Sequence, residues 1–422
     1  MTRTRSILAA AAALLCASTA QAQLTIHLTV PAATPDTASV YVAGGFNGWN
    51  PGNPAYRLQR TEGGYAITLP ESIRGPVEFK FTRGSWEAVE TDGAGGSVSN
   101  RTFTIPATGT ATYEGRVAAW QDPSRVRPRP HSATASVSVI DTAFRIPQLG
   151  RTRRVWIYLP PGYASSNRRY PVLYMHDGQN VFDAATSGFG EWGVDETLDS
   201  LHVLGDPGTI VVAVDHGGSK RLDEYDPWNN ARYGGGEGDA YVDFLVHTLK
   251  PYVDAHYRTL ADRGHTGIAG SSMGGLISLY AGLKFPNVFG RVGVFSPSLW
   301  IAPKMYAVAR RAHPTPGNRV YFVMGGREGD APERYVRDQQ AMVDTLAAAG
   351  FRVGTDVVAY VRPDGQHSEW FWRREFPAAY RWLLADIRAL DAHAGLKRRT
   401  ISEPRPRDGR GGTIVSAGFR GR

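Results

Sequence analysis

The run His265-Thr-Gly-Ile-Ala-Gly-Ser-Ser-Met-Gly-Gly-Leu-Ile-Ser-Leu-Tyr280 contains a serine whose setting suits nucleophilic attack. Gly270 and Gly274 flank Ser272 in the G-x-S-x-G spacing, between an apolar stretch of strand character and an apolar helix start. Glycine on both sides lets the chain pass from strand to helix through a strained turn, so that the Ser272 hydroxyl stands clear of the backbone. Ser271 fails the spacing. A serine hydroxyl is too weakly acidic to attack unaided, and needs a histidine base oriented by a carboxylate. In such a strand-turn-helix setting the chain order is serine, acid, histidine. Downstream of Ser272 stand His313, His367 and His393, and His367 ends the loop Pro363-Asp-Gly-Gln-His367 beyond the last candidate strand, where the base belongs. The acid should follow the strand at 320–323, in the loop Met324-Gly-Gly-Arg-Glu-Gly-Asp330. Glu328 is favoured for its closeness to the strand end, with Asp330 as the alternative. Asp364 reads as a turn residue.

Acyl transfer also needs preorganised N–H donors for the oxyanion. One is the backbone N–H of Met273, the residue after the nucleophile. The other is expected in His176-Asp-Gly-Gln-Asn180, where Gly178 permits close backbone approach and Gln179 N–H is the candidate. His176 and Asp177 are expected to shape that loop.

These residues need a rigid frame, and the chain supplies one in short apolar strands separated by helical stretches. The strand candidates are 155–159, 172–175, 210–214, 266–269, 292–295, 320–323 and 357–361. Between them lie amphipathic segments such as 238–250, with Tyr241, Leu245 and Leu249 on one face until Pro251 interrupts. Alternation of this kind over residues 135–392 predicts an α/β domain with a mostly parallel central sheet covered on both faces. Residues 23–120 differ: runs such as Ser39–Ala43, Gly64–Leu69 and Val77–Phe81 alternate with period two between turn clusters, which predicts a small all-β sandwich. Residues 121–134, rich in Pro and Arg, read as the linker.

Composition narrows the class. Of 422 residues, 42% are hydrophobic and 20% charged, which is ordinary for a folded protein. Residues 1–22 run from Arg3 and Arg5 through an apolar stretch to Ala20-Gln21-Ala22, the order of a secretory signal peptide. The apolar run is too short to span a bilayer, which needs roughly 18 residues. Export to the periplasm or medium is therefore expected, with no membrane span. The single cysteine, Cys16, lies in that segment, so the mature chain offers no disulfide, thiol nucleophile or cysteine metal site. The net charge of +8 resides in Arg3 and Arg5 and in the basic tail within 393–422, which reads as a disordered appendage and not a nucleic-acid reader. No phosphate-cradling loop or metal-spaced histidine pair occurs, so neither metal nor organic cofactor is implied.

The segments Tyr170-Pro-Val-Leu-Tyr-Met-His-Asp-Gly-Gln-Asn180, Arg221-Leu-Asp-Glu-Tyr225, Gly270-Ser-Ser-Met-Gly-Gly275, Phe295-Ser-Pro-Ser298 and Gly365-Gln-His367 together resemble the α/β-hydrolase family of esterase D, feruloyl esterases, enterochelin esterases and mycolyltransferases. The resemblance covers about residues 135–390. It implies a serine esterase in which Ser272 and His367 match the family's nucleophile and base, with the acid in the Glu328 loop. Its substrates would be small-molecule or carbohydrate esters, among them feruloyl and siderophore-type esters. Acyl transfer to a sugar hydroxyl and a noncatalytic glycan-binding role are the rival readings. Trp300, Arg221 and Tyr225 are candidate substrate contacts, with an internal Arg221–Glu224 pair as the alternative role for the last segment. Trp370 and Trp372 suit either an acyl pocket or core packing. Residues 23–120 are similar to starch- or glycogen-binding modules of the early-set immunoglobulin-like type, through Val40-Tyr-Val-Ala-Gly-Gly-Phe-Asn-Gly-Trp49 and Phe79-Lys-Phe-Thr-Arg-Gly-Ser-Trp86. Trp49 and Trp86 are then candidates for stacking on a polysaccharide, or else scaffold tryptophans.

Overall fold

The computed structural model describes residues 23–93, 98–121, 129–231, 233–329 and 331–384. The expected signal segment 1–22, most of the 121–134 linker, Asp330, His393 and the tail lie outside the described residues. Among the described residues no helix is long and apolar enough to cross a membrane.

The first unit is built of strands with three short helical turns, Gly45–Asn47, Pro54–Tyr56 and Trp86–Ala88. Strands β1 (Gln23–Thr29), β2 (Tyr41–Gly44), β3 (Gln59–Thr61), β4 (Gly64–Thr68) and β5 (Gly75–Thr82) precede β6 (Glu90–Thr91), β7 (Arg101–Ile105), β8 (Thr110–Arg116) and β9 (Ala119–Trp120). They form one sheet in the order β3-β4-β1-β8, a second in the order β2-β5-β7, and a short β6-β9 pair. Period-two alternation decides the inner faces. Leu24, Ile26 and Leu28 of β1 meet Val77, Phe79 and Phe81 of β5 in one core. Glu78, Lys80 and Thr82 therefore point to the outer side of β5, yet Lys80 and Thr82 are buried there.

The second unit is an eight-stranded sheet. Its strands are β10 (Val137–Ile146), β11 (Arg151–Tyr158), β12 (Val172–His176), β13 (Ile210–Val214), β14 (Thr266–Ser271), β15 (Arg291–Phe295), β16 (Arg319–Gly325) and β17 (Val357–Arg362). The order is β10-β11-β13-β12-β14-β15-β16-β17. β10 and β11 are antiparallel at one edge, and every pairing from β13 to β17 is parallel. Parallel neighbours require crossovers, which the helices α1 (Val194–Val203), α2 (Arg221–Tyr225), α3 (Gly238–Phe244), α4 (Lys250–His256), α5 (Met273–Lys284), α6 (Met305–Arg311) and α7 (Pro332–Ala348) provide, and α8 (Glu369–Leu383) follows the last strand. Alternate strand residues feed two cores. Val172, Tyr174, Val320 and Phe322 pack with α3 to α7, and Leu173, Met175, Tyr321 and Val323 pack with α1 and α8. Each such side chain, fully buried, contributes about 1.5–3 kcal/mol, so burial on both faces holds the strand ends in place.

The segment after Gly238 corrects one expectation. Pro251 does not interrupt it: the helix runs from α3 through a π turn, Leu245–Leu249, directly into α4 and ends at His256. Proline has no N–H to donate, and the wider turn just ahead of it shifts the hydrogen-bond register where that donor is missing.

Helix α5 lies close on the sheet because Gly282 has no side chain. A Cβ there would come within 2.4 Å of Val292 Cγ2 on β15. Gly282→Val should cost about 1–3 kcal/mol through overpacking, read as a lower Tm in thermal unfolding. An unchanged Tm would refute the close helix-sheet contact.

Candidate active site

Ser272 stands between β14 and α5 with φ 59° and ψ −121°. A non-glycine residue with positive φ is strained, and the strain is held by neighbours that leave no alternative. Ser272 N–H donates to Phe295 O at 2.9 Å, and Ser272 O accepts from Ser298 N at 3.2 Å and Leu276 N at 3.1 Å. The turn is too tight for side chains beside it. A Cβ on Gly270 would sit 2.9 Å from the Gly274 carbonyl, and one on Gly275 would sit 2.8 Å from Phe295 O. The Ser272 hydroxyl itself is 3.2 Å from Ser298 Oγ.

The loop after β17 brings His367 to Glu328, with His367 Nδ1 donating to Glu328 Oε2 at 2.9 Å. Glu328 is buried, and its second oxygen accepts from Ser296 Oγ at 2.5 Å and from Gly325 N at 2.6 Å. Ser296 has φ 44° and accepts in turn from Trp372 Nε1 at 2.9 Å. Trp372 also meets His367 edge-on, with ring centroids 5.1 Å apart. Desolvation pushes the His367 imidazole down, but the hydrogen bond and charge of Glu328 outweigh it, helped by the charges of Glu78 and Glu369, and the net direction is up.

Gln179 lies in the short helical turn Gly178–Asn180 after β12, and Met273 opens α5. Their amides fall among the helix-start N–H groups that have no intrahelical carbonyl to meet, and so can receive an oxyanion. The Gln179 side chain is turned aside, its Oε1 accepting from His216 N at 3.2 Å. Gly178 is needed because a Cβ would come within 2.8 Å of the Val214 carbonyl carbon.

Under this loop lies a buried polar layer. Arg221 holds Asp177 with Nε to Oδ1 at 2.7 Å and Nη2 to Oδ2 at 2.8 Å. His176 bonds the Tyr241 hydroxyl at 2.9 Å, and burial pushes its pKa down to about 4, so it stays neutral near neutral pH. Two expectations change here. Tyr225 is fully buried and accepts from Asp177 N at 3.2 Å, because α2 turns its ring inward against His176 and Tyr241; it cannot touch a substrate. Arg221 does not pair with Glu224, which lies buried on the sheet side and binds Arg151 and Arg153. Arg221 itself stays partly accessible.

Trp300 is half-buried, with Tyr233 edge-on at 5.3 Å and Tyr335 tilted at 6.4 Å. Trp370 is exposed and carries the Arg374 guanidinium over its ring. Asp364 is exposed and pairs with Arg374. In the sandwich, Trp49 and Trp86 stand side by side, centroids 6.3 Å apart, both half-buried. Sequence reasoning gave no role to Ser296, Ser298 or Glu369. A serine at positive φ inside Ser-Pro-Ser was the one local sign for Ser296, and it is a sign of backbone shape, which spacing does not carry.

A mostly parallel sheet clad in helices on both faces, with a strained serine turn between β14 and α5, defines an α/β-hydrolase. The chain belongs to the Putative esterase family, whose model matches residues 146–383, and it is accordingly a carboxylic ester hydrolase. It is 26% identical over 248 residues to an uncharacterised protein of Bacillus subtilis (strain 168), covering 56% of this chain and 94% of that one. It is 26% identical over 232 residues to an endo-1,4-beta-xylanase/feruloyl esterase of Xylanibacter ruminicola, covering 53% of this chain and 28% of that one. A stretch of 100 residues is 45% identical to an alpha-amylase of Niallia circulans, covering 24% of this chain and 8% of that one.

Because Glu328 raises the His367 pKa, Glu328→Gln should move the acidic limb of the kcat/KM profile to lower pH. It should also lower kcat by about 10³–10⁴-fold through loss of the oriented tautomer. A pH–rate profile of the variant checks both, and an unmoved limb would remove Glu328 from that role.

Proposed function

We propose that the protein is an exported serine esterase that cleaves aromatic acyl esters of carbohydrates through Ser272, His367 and Glu328. The observation that carries this reading is the His367–Glu328 bond of 2.9 Å on the same sheet edge as the strained Ser272. The Ser272 hydroxyl attacks the ester carbonyl while His367 Nε2 takes its proton. The oxyanion is received by the amides of Met273 and Gln179. As the tetrahedral intermediate collapses, the C–O bond to the alcohol breaks, His367 returns the proton to the alcohol oxygen, and the acyl group stays on Ser272. Water then attacks the acyl-enzyme with His367 as base, and the carboxylic acid and free Ser272 are released. Glu328 stays ionised and holds the imidazole with its Nδ1 protonated.

The acyl preference follows from Trp300, which with Tyr233 and Tyr335 forms an aromatic wall two residues beyond Ser298. Flat rings of this kind suit an aromatic acyl group by offset or edge contact. The feruloyl esterase relative is consistent with that choice. The Trp49–Trp86 pair and the stretch shared with an alpha-amylase support a second, polysaccharide-facing role for the sandwich. Export rests on residues 1–22.

Ser272→Ala should lower kcat on p-nitrophenyl acyl esters and methyl hydroxycinnamates by about 10⁴–10⁶-fold. Unchanged turnover in that variant would end the proposal, and a clear preference for aliphatic or siderophore-type esters would end its acyl half. Electrophoresis in gels containing xylan or amylose should show retardation that Trp49→Ala removes. Equal mobility with and without polysaccharide would leave the sandwich without a targeting role.

A further inference from the structure

Several buried carboxylates of the esterase unit are matched by basic side chains. Asp177 holds Arg221, Glu224 holds Arg151 and Arg153, Glu375 holds Arg362 and Arg374, and Glu328 holds His367. Glu369, like Asp195 and Asp226, has no basic side chain bonded to it among the described residues, but of the three it alone stands two residues from His367. It is 8% exposed, lies at the first turn of α8 against Gly190, and among the described residues takes a hydrogen bond only from its own backbone amide. Neither of its carboxyl oxygens is among the enclosed polar atoms left without a partner, so the group remains open to a further hydrogen-bond donor.

Its surroundings say where the missing partner would lie. Glu369 stands two residues beyond His367, and its charge acts on His367, on Arg221 and on Lys80. Lys80 comes from the outer face of β5 in the sandwich, where its Nζ bonds Val98 O, and Glu78 from the same face acts on His367. This side of His367 is therefore bounded by charged groups from both units, whereas Trp300 is ringed by Tyr233 and Tyr335. The chemistry assigns the two sides. His367 protonates the departing alkoxide, so the alcohol half of the ester must lie against His367, and Glu369 beside it.

We propose that Glu369 recognises the alcohol half of the substrate, accepting a hydrogen bond from a second hydroxyl of a sugar-like, polyhydroxylated alcohol. The inference rests on the esterase reading above. Arg221 and Lys80 already bear on the carboxylate, so a neutral donor suits it better than another cation. Burial raises the Glu369 pKa to about 7, so that near neutral pH it passes from acid to carboxylate. His367, Asp177, Arg221 and Lys80 are the charged or titratable groups that face it. A hydroxyl bound to a carboxylate is held more strongly than one bound to the neutral acid, so recognition strengthens as pH rises.

The test compares methyl and 1-glyceryl esters of the same acid, made with both butyrate and ferulate, by kcat/KM between pH 6 and 8. Taking the ratio of the two alcohols cancels the titration of His367, which serves both. Wild type should favour the glyceryl ester by about tenfold at pH 8, the size of one hydrogen bond to a charged group, mainly through KM. The ratio should fall toward pH 6. In Glu369→Gln it should collapse toward one and become flat with pH, and Glu369→Asp should give an intermediate value. A ratio near one in wild type, a ratio retained in Glu369→Gln, or a wild-type ratio flat with pH would each overturn the proposal. Thermal unfolding of both variants shows that they are folded, and Glu369→Asp decides the matter should Glu369→Gln not fold. Turnover surviving in Ser272→Ala would instead sink the esterase reading, so the two failures are separable.

Discussion

A buried carboxylate must be hydrogen-bonded or paired, and the demand of Glu328 organises the candidate active-site edge of this sheet. Its two oxygens collect Ser296 from the end of β15, the Gly325 amide from the end of β16, and His367 from beyond β17. Trp372 of α8 steadies Ser296 from the other side. Four segments distant in sequence are thus tied at one point. The tie works only because the parallel strands end level with one another, and they do so because both faces are packed.

Strain and pairing divide the labour. The Ser272 turn is held by steric exclusion, since no side chain fits at 270 or 275, and by amide bonds to Phe295 and Ser298. The histidine is held by charge. Each device holds one of the two residues without relying on the other.

What could be read in the chain follows the range of the interaction. The Ser272 turn was legible because its glycine requirement is local and written in five consecutive residues. The strands were legible because burial on both faces makes their residues apolar. Glu328 was favoured over Asp330 only for its nearness to the strand end, since what places Glu328 on His367 is a serine from another strand and an amide of its own loop. Tyr225 misled because its position beyond β13 suggested the ligand side, while the five-residue α2 turns it inward. Trp372 was ambiguous between pocket and core, and its indole N–H gave it a third role that no periodicity encodes. Pro251 read as a break because a π turn leaves no mark in apolar spacing. Nothing in the sequence singled out Lys80 or Glu78, since the groups they act on, Glu369 and His367, belong to the other unit.

The order of strands on the reacting side of the sheet has a bearing on biosynthesis. β14, β15, β16 and β17 are neighbours in space and successive in sequence, and they deliver Ser272, Ser296, Glu328 and His367 in that order. A ribosome releases them in the same order. On the proposed assignment, a growing chain holds Ser272 early but lacks His367 until the segment beyond β17 has been made, so a half-made molecule carries the serine without its proposed base. Under that reading the chain order itself delays reactivity toward esters until residue 367 has been made.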